Sequence, residues 1–212
     1  MNKPCPDKYY ISQFQPFIMY NFIIFGAPGS GKGTQSEKII DKYGLFHIST
    51  GDVLRDHIKR GTDLGKIADS YISQGQLIPD DLMIGILRDH IKEHPEAKKG
   101  VVFDGFPRTI EQAKELNKFL KELDTEIHAV LGLEVAEDEL MTRLLKRGEQ
   151  SGRSDDNPET IKRRLDVYHK STQPLKEFYT NTGHYRPIEG SGSIDDIFNK
   201  ISTHIDTVVT KK

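Results

Sequence analysis

The chemically most specific stretch of the sequence is Gly26-Ala-Pro-Gly-Ser-Gly-Lys-Gly-Thr34, seven residues of it spelling G-x-x-x-x-G-K with the lysine at Lys32. It lies between a short apolar segment, Asn21-Phe-Ile-Ile-Phe25, and a segment of helical pattern running from about residue 32 to 43. In that setting the glycines let successive backbone N–H groups turn inward around phosphate oxygens. The helix N-terminus adds positive potential, and Lys32 supplies a mobile point charge. The spacing therefore predicts a nucleoside triphosphate held on Gly29, Ser30, Gly31, Lys32, Gly33 and Thr34. The residue after the lysine is Gly33 and the hydroxyl follows one place later, at Thr34, which puts in doubt a magnesium ligand directly beside the lysine.

Two further segments carry chemistry at the ends of predicted strands. Phe103-Asp-Gly-Phe-Pro-Arg-Thr109 closes one of them. In an open parallel sheet ligands gather at the carboxyl ends of strands, so Asp104 is expected beside the phosphate loop, holding magnesium directly or through water. An aspartate there is also a good helix cap. Gly105 permits close backbone approach, Phe106 and Pro107 shape the corner, and Arg108 projects from it with a fork suited to a second phosphate. His47-Ile-Ser-Thr-Gly-Asp-Val-Leu-Arg55 closes another strand and brings Thr50 and Arg55 to the same sheet edge.

A third group lies further along, in Lys146-Arg-Gly-Glu-Gln-Ser-Gly-Arg-Ser-Asp-Asp156, where Arg147 and Arg153 flank a glycine-containing stretch. In the helix that follows, Ile161, Leu165 and Tyr168 form an apolar stripe at i, i+4, i+7. Arg164 falls about 60° from Ile161, beside the stripe, whereas Arg163 falls about 160° away and should face solvent. Lys32, Arg55, Arg108, Arg147, Arg153 and Arg164 then make six cations directed at one cleft. One triphosphate with magnesium does not need six; a triphosphate together with a phosphate-bearing acceptor does. Phosphoryl transfer rests on positioning and charge stabilisation, and it needs no general base when the acceptor atom is itself a phosphate oxygen. No histidine or carboxylate other than Asp104 is expected in the cleft.

The elements that position these residues alternate. Strands are predicted at 21–25, 46–48, 101–103, 127–133 and 185–188. Helices are predicted at 32–43, 51–60, 63–74, 80–93, 109–122, 137–147, 158–180 and 194–208, with a loop at 148–157. Asn157-Pro158 fills the N-cap and N1 roles of the long helix. Short apolar strands between amphipathic helices imply an α/β fold, a parallel five-stranded sheet covered on both faces.

Composition narrows the classes. The 212 residues carry 30 Lys and Arg against 32 Asp and Glu, a net charge of −2, which argues against a general basic field for duplex nucleic acid. No apolar run approaches the ~20 residues of a membrane span. A single cysteine, Cys5, rules out a disulfide within the chain and a multi-cysteine zinc site. With no signal-peptide pattern at the start, a cytoplasmic protein is expected. Residues 1–18 hold Pro4, Pro6 and Pro16 among four aromatics without period, and read as a tail that is disordered or drapes over the surface, with Met19 a candidate physiological start.

Taken in order, GAPGSGKGT, HISTGDVLR, GQLIPDD, FDGFPRT with Gln112, KRG, SGRSDD and ETIKRRL resemble the adenylate kinases of the short-lid type over about residues 19–208. The resemblance implies reversible phosphoryl transfer from Mg-ATP to AMP, with ATP phosphates on Gly29 to Thr34, Arg147 over the ATP base or phosphates, and backbone near Gly192 at the adenine. It implies AMP between Thr50, Arg55, the Gln76-Leu77-Ile78 backbone, Gly105 to Arg108 and Gln112, with Arg153 and Arg164 bridging to the transferring phosphate. It also implies a mobile AMP-binding arm at about 49–78, a lid at about 147–157, and a monomer. The lid has no cysteine, so the zinc site of longer lids is not expected. Thr50 and Gln112 favour AMP over the acceptors of the related UMP–CMP kinases, which remain an alternative on the same fold. A P-loop nucleotide switch is a second alternative, but it leaves the acceptor-side arginines without a use.

Overall fold

The computed structural model describes residues 19–151, 153 and 155–210; the expectations for the tail, residues 1–18, lie outside the described residues. Five strands, β1 (Tyr20–Gly26), β2 (Phe46–Ser49), β3 (Gly100–Asp104), β4 (Ile127–Glu134) and β5 (Tyr185–Glu189), form one sheet in the order β2-β3-β1-β4-β5. Every pairing is parallel. The described helices are α1 (Lys32–Tyr43), α2 (Thr50–Lys59), α3 (Asp63–Ile72), α4 (Asp80–Glu93), α5 (Ile110–Glu122), α6 (Glu137–Ser151), α7 (Pro158–Val167), α8 (Pro174–Asn181) and α9 (Ile194–Val209).

β1 sits at the centre because both of its faces are apolar. Phe22 and Ile24 pack with Ile39 of α1 and Ile197, Ile201 and Ile205 of α9. Ile23 and Phe25 point the other way, into a core that takes in Leu54, Met83, Leu87, Leu116 and Leu175 from α2, α4, α5 and α8. The period-2 alternation of a strand thus feeds two cores at once. Fully burying a side chain such as Phe22 or Leu131, both without exposed surface, contributes roughly 1.5–3 kcal/mol. A third, smaller cluster of Ala27, Leu140, Leu144, Ile161 and Leu165 joins α6 and α7 to the underside of the phosphate loop.

The strand order places β2 and β3 on one side of β1 and β4 and β5 on the other. The chain reverses direction across the sheet at β1, so a crevice opens beyond the carboxyl ends of β1 and β3. The first residues after both strands are those singled out for phosphate chemistry.

Two boundaries differ from the sequence expectation. The helix predicted at 158–180 is broken: α7 ends at Val167, a π-helical turn spans Tyr168–Thr172, and α8 starts with Pro174 at its first turn. Proline has no N–H to continue the ladder and its ring crowds the carbonyl four residues back, so the helix cannot run through it. The Gln173 N–H bonds instead to the Tyr168 carbonyl. The helix predicted at 137–147 runs on to Ser151, so the first residues of the stretch read as the loop 148–157 are helical.

Candidate active site

Residues Gly29 to Gly31 turn with Gly29 at φ 84° and Gly31 at φ 93°, the left-handed region that glycine enters without penalty. A Cβ at Gly29 would also meet Leu144 Cγ at 2.8 Å, so the loop lies flush on α6. α1 follows with Gly31 as its N-cap, no side-chain cap and no acidic residue in its first turn. By contrast α2, α3, α5, α7 and α9 are capped by Ser49, Thr62, Thr109, Asn157 and Ser193. The first N–H groups of α1 are left for an anion. Lys32 folds over them, its Nζ donating to the carbonyls of Gly26 (2.8 Å) and Ala27 (3.0 Å).

These residues line a cleft of about 500 Å³. Lys32, Arg55, Arg108, Arg147, Arg153 and Arg164 all line it, so the structure brings together the six cations predicted from sequence. Gly29, Gly31, Gly33, Thr34, Thr50, Gln76, Leu77, Ile78, Asp104, Gly105, Phe106, Pro107 and Gln112 line it as well. Ser30 is buried and stays outside the lining. Gly192 is exposed, at φ 114° in the turn before α9, and is not among the residues that line the cleft.

The acceptor-side corner is held by backbone carbonyls. Gly105 O accepts from Thr50 Oγ1 (2.9 Å) and from Arg108 Nε (2.7 Å). This ties the first residue of α2 and the arginine to one point. Gln112 is buried, and its amide is already engaged: Oε1 accepts from the Arg108 N–H (2.7 Å), and Nε2 donates to Asp80 Oδ1 (2.7 Å). One N–H and one lone pair of that amide remain beyond these bonds.

Arg147 Nε and Nη2 meet Asp156 Oδ2 and Oδ1 at 2.7 and 2.8 Å, a fork-on-fork pair, and the Asp156 side chain is fully buried. Arg164 Nη1 reaches Asp156 Oδ1 (2.6 Å) and Asp155 Oδ2 (2.9 Å). Two adjacent carboxylates thus fix the guanidinium groups of two cleft arginines. The angular reading of the helix is correct: Arg164 is largely covered, while Arg163 faces outward and pairs with Glu159. The cleft's two flanks meet, since a Cβ on Gly75 would lie 3.0 Å from Arg164 Cγ, and Arg153 Nη2 stands 4.0 Å from Asp52 Oδ1.

Gathering buried cations in one cleft shifts their protonation. Burial pushes Lys32 down to about 8; Asp104 opposes this, while Arg108, Arg164 and Arg147 reinforce it. Burial, and then Arg164, lowers Arg108 to about 10. Arg153 is lowered too, by burial and Arg55. Arg147 moves the other way, because Asp156 hydrogen-bonds its charged form. Burial alone would raise Asp156; the Arg147 hydrogen bond and the charges of Arg147 and Arg164 outweigh it and hold it below the usual carboxylate range. This is the electrostatic pattern of a site shaped for polyanions.

The oxygen donors fit a hard cation that arrives with phosphates. Asp104 lies at the floor of the cleft, its Oδ2 3.9 Å from where a Cβ on Gly33 would be, and the Thr34 side chain is on the same wall. Among the described residues no group of three or more His, Cys, Asp or Glu stands ready to cage a metal. One or two protein oxygens completed by phosphate and water is how magnesium is usually bound.

The sequence reading missed five charged residues. Glu37, Asp52, Asp155 and Arg143 line the cleft, and Asp156 lies directly behind Arg147 and Arg164. The carboxylates are corrections to the expectation that Asp104 stands alone. Asp52, Asp155 and Asp156 are each paired with an arginine, Asp52 with Arg55, so none of these three is free to act as a base, while Glu37 is an exposed residue of α1. Arg143 is a seventh cation, bonded to Glu139 Oε1 (2.5 Å) and Gly190 O (3.0 Å), and reaching Gly31. Its place four residues before Arg147, on one face of α6, was the available signal.

Among known proteins, the profile of the adenylate kinase family matches residues 24–185. The chain is 58% identical over 190 residues to an adenylate kinase of Bacteroides fragilis, covering 90% of this chain and all of that protein. It is 59% identical over 188 residues to an adenylate kinase of Bacteroides thetaiotaomicron, covering 89% of this chain and 99% of the relative. An adenylate kinase of Porphyromonas gingivalis is 47% identical over 188 residues, 89% of this chain and 96% of the relative.

Proposed function

The chain belongs to the adenylate kinase family and is an ATP:AMP phosphotransferase, and from that premise we propose how its cleft performs the reversible conversion of ATP and AMP into two ADP. Neither the UMP–CMP kinase nor the nucleotide switch is favoured by the relatives found.

The ATP phosphates rest on Gly29 and Gly31 to Thr34, with Lys32 leaving the carbonyls of Gly26 and Ala27 to meet them. Asp104 would hold, through water, the magnesium that arrives with the nucleotide, which would neutralise phosphate charge there. AMP lies between Thr50, Arg55, the Gln76-Leu77-Ile78 backbone, Gly105 to Arg108, and Gln112. Arg147, Arg153 and Arg164 surround the group in flight and spread its charge, Asp155 and Asp156 keeping Arg147 and Arg164 aimed. An AMP phosphate oxygen attacks, so no side chain has to take a proton.

Residues about 49–78 and about 147–157 act as arms that close over the two substrates. Closure excludes water, which would otherwise accept the phosphoryl group. The approach of Arg153 to Asp52 supports this, because it joins the two arms, and the closeness of Gly75 to Arg164 sets the first arm against α7. No described helix is long and apolar enough to cross a membrane. A single cysteine and the nature of the substrates support a cytoplasmic place of work, without nucleic acid or membrane partners.

The observation that carries the reading is the convergence of six predicted cations on a cleft whose triphosphate loop uses only one of them. A coupled assay with AMP, CMP, UMP and GMP as acceptors tests it. ADP should form with AMP and far more slowly with the other three; equal turnover of CMP or UMP would overturn the acceptor assignment.

A further inference from the structure

Gln112 is buried in the cleft wall, and the two groups bonded to its amide have opposite and fixed characters. The Arg108 backbone N–H, 2.7 Å from Oε1, can only donate. Asp80 Oδ1, 2.7 Å from Nε2, accepts. Asp80 does not line the cleft; it is the first residue of α4, half-buried behind Gln112. Its second oxygen is occupied by the Thr109 hydroxyl (2.9 Å), and Thr109 in turn caps α5 by accepting from the Gln112 N–H. The carboxylate is therefore anchored at both oxygens, and the amide is held between an obligate donor and an acceptor.

We propose that Asp80 is a positioning residue that locks the Gln112 amide in one orientation and thereby makes the acceptor site choose adenine over guanine. The inference rests on the reading that Gln112 meets the base of the acceptor nucleotide. A side-chain amide offers a donor and an acceptor side by side. Adenine offers an exocyclic N–H beside a ring nitrogen acceptor, and guanine offers the reverse order, a carbonyl beside a ring N–H. An amide free to rotate by half a turn pairs with either base. In this site the rotation would set Nε2 against the Arg108 N–H and Oε1 against the Asp80 carboxylate, two like-with-like contacts among buried groups. One order is permitted, so one purine edge is matched.

The test measures kcat/KM for AMP and for GMP, together with KM for ATP and the melting temperature, in the parent, Asp80→Leu, Asp80→Ala, Asp80→Asn and Gln112→Leu. Asp80→Leu should lower the AMP:GMP preference by about 5- to 150-fold, the discrimination of one well-placed bidentate pair, with KM for ATP unchanged. Asp80→Ala should do the same if leucine disturbs folding, and Asp80→Asn, which keeps an oxygen toward Nε2, should restore most of the preference. A preference lost in Gln112→Leu but intact in both Asp80→Leu and Asp80→Ala would overturn the lock and leave the Gln112 reading standing. A preference intact in Gln112→Leu would overturn the Gln112 reading and the proposal with it. A lower melting temperature with the preference kept would assign Asp80 a structural role and overturn the proposal.

Discussion

Arg153 approaches Asp52 to 4.0 Å across the mouth of the cleft, joining the segment between α6 and α7 to the first turn of α2. Asp52 also receives Arg55 from its own helix. The pair is partly exposed and long, so its own contribution is about 0–1 kcal/mol, enough to shift an open–closed balance by no more than about fivefold. Asp52→Asn should therefore leave kcat within about fivefold of the parent. Arg153→Ala removes a cation from the transferring phosphate and should cost ~10³-fold or more. Equal losses in the two variants would make Arg153 a latch and not a charge for the reaction.

Lys32 predicts opposite pH trends for binding and stability. Its folded-state value of about 8 lies below its ordinary 10.5, chiefly through burial. Between those values the unfolded chain holds the extra proton, so the Lys32 contribution to stability rises with pH through that window and is constant below it. ATP needs the charged form, so its Kd should be flat below about pH 7.5 and rise toward tenfold per pH unit above about 8. Titration calorimetry across pH 6.5–9.5, compared with Lys32→Met, checks this. A parent curve parallel to that of the variant would contradict it.

Thr50→Ala removes one of the two donors on Gly105 O and leaves Arg108 Nε as the other. The variant should show a higher KM for AMP and a reduced AMP:CMP ratio of kcat/KM, with KM for ATP unchanged, whereas Thr50→Ser keeps the hydroxyl and the preference. An unchanged AMP:CMP ratio in Thr50→Ala would remove Thr50 from the acceptor site.

Gly148 is where the segment carrying Asp156 crosses α6: a Cβ there would lie 2.6 Å from Asp156 O and 3.1 Å from Asp156 Cβ. Alanine is the better helix former by about 1 kcal/mol, but the overpacking costs roughly 1–3 kcal/mol and pushes Asp156 away from Arg147 and Arg164. Gly148→Ala should lower kcat at least tenfold while the melting temperature moves by only a few degrees. Full activity with a raised melting temperature would show that the crossing is not tight.

What could be seen in the sequence divides along physical lines. The phosphate loop was legible because its chemistry is local: glycine φ angles, one lysine and a helix start within nine residues. Arg164 was legible because helical periodicity sets it beside an apolar stripe and sets Arg163 away from it. Asp155 and Asp156 were not, since two aspartates in a polar stretch look solvated until the arginines that cover them, one on each flanking helix, are placed in space. The engaged amide of Gln112 was hidden for the same reason, its partner Asp80 being 32 residues away in the chain. The break between α7 and α8 could have been read from Pro174, whose missing N–H outweighs the surrounding helical pattern. Gly192 followed from the resemblance alone, because a backbone contact leaves no signal in residue type or spacing.

The central claim is that one cleft holds both nucleotides at once, and a bisubstrate analogue joining two adenosines through five phosphates tests it most directly. Titration calorimetry with magnesium should give one analogue per chain, bound far more tightly than ATP or AMP alone and excluding both, with affinity falling in both Lys32→Met and Arg108→Ala. An analogue that binds no more tightly than ATP, or that leaves AMP able to bind beside it, would contradict the account.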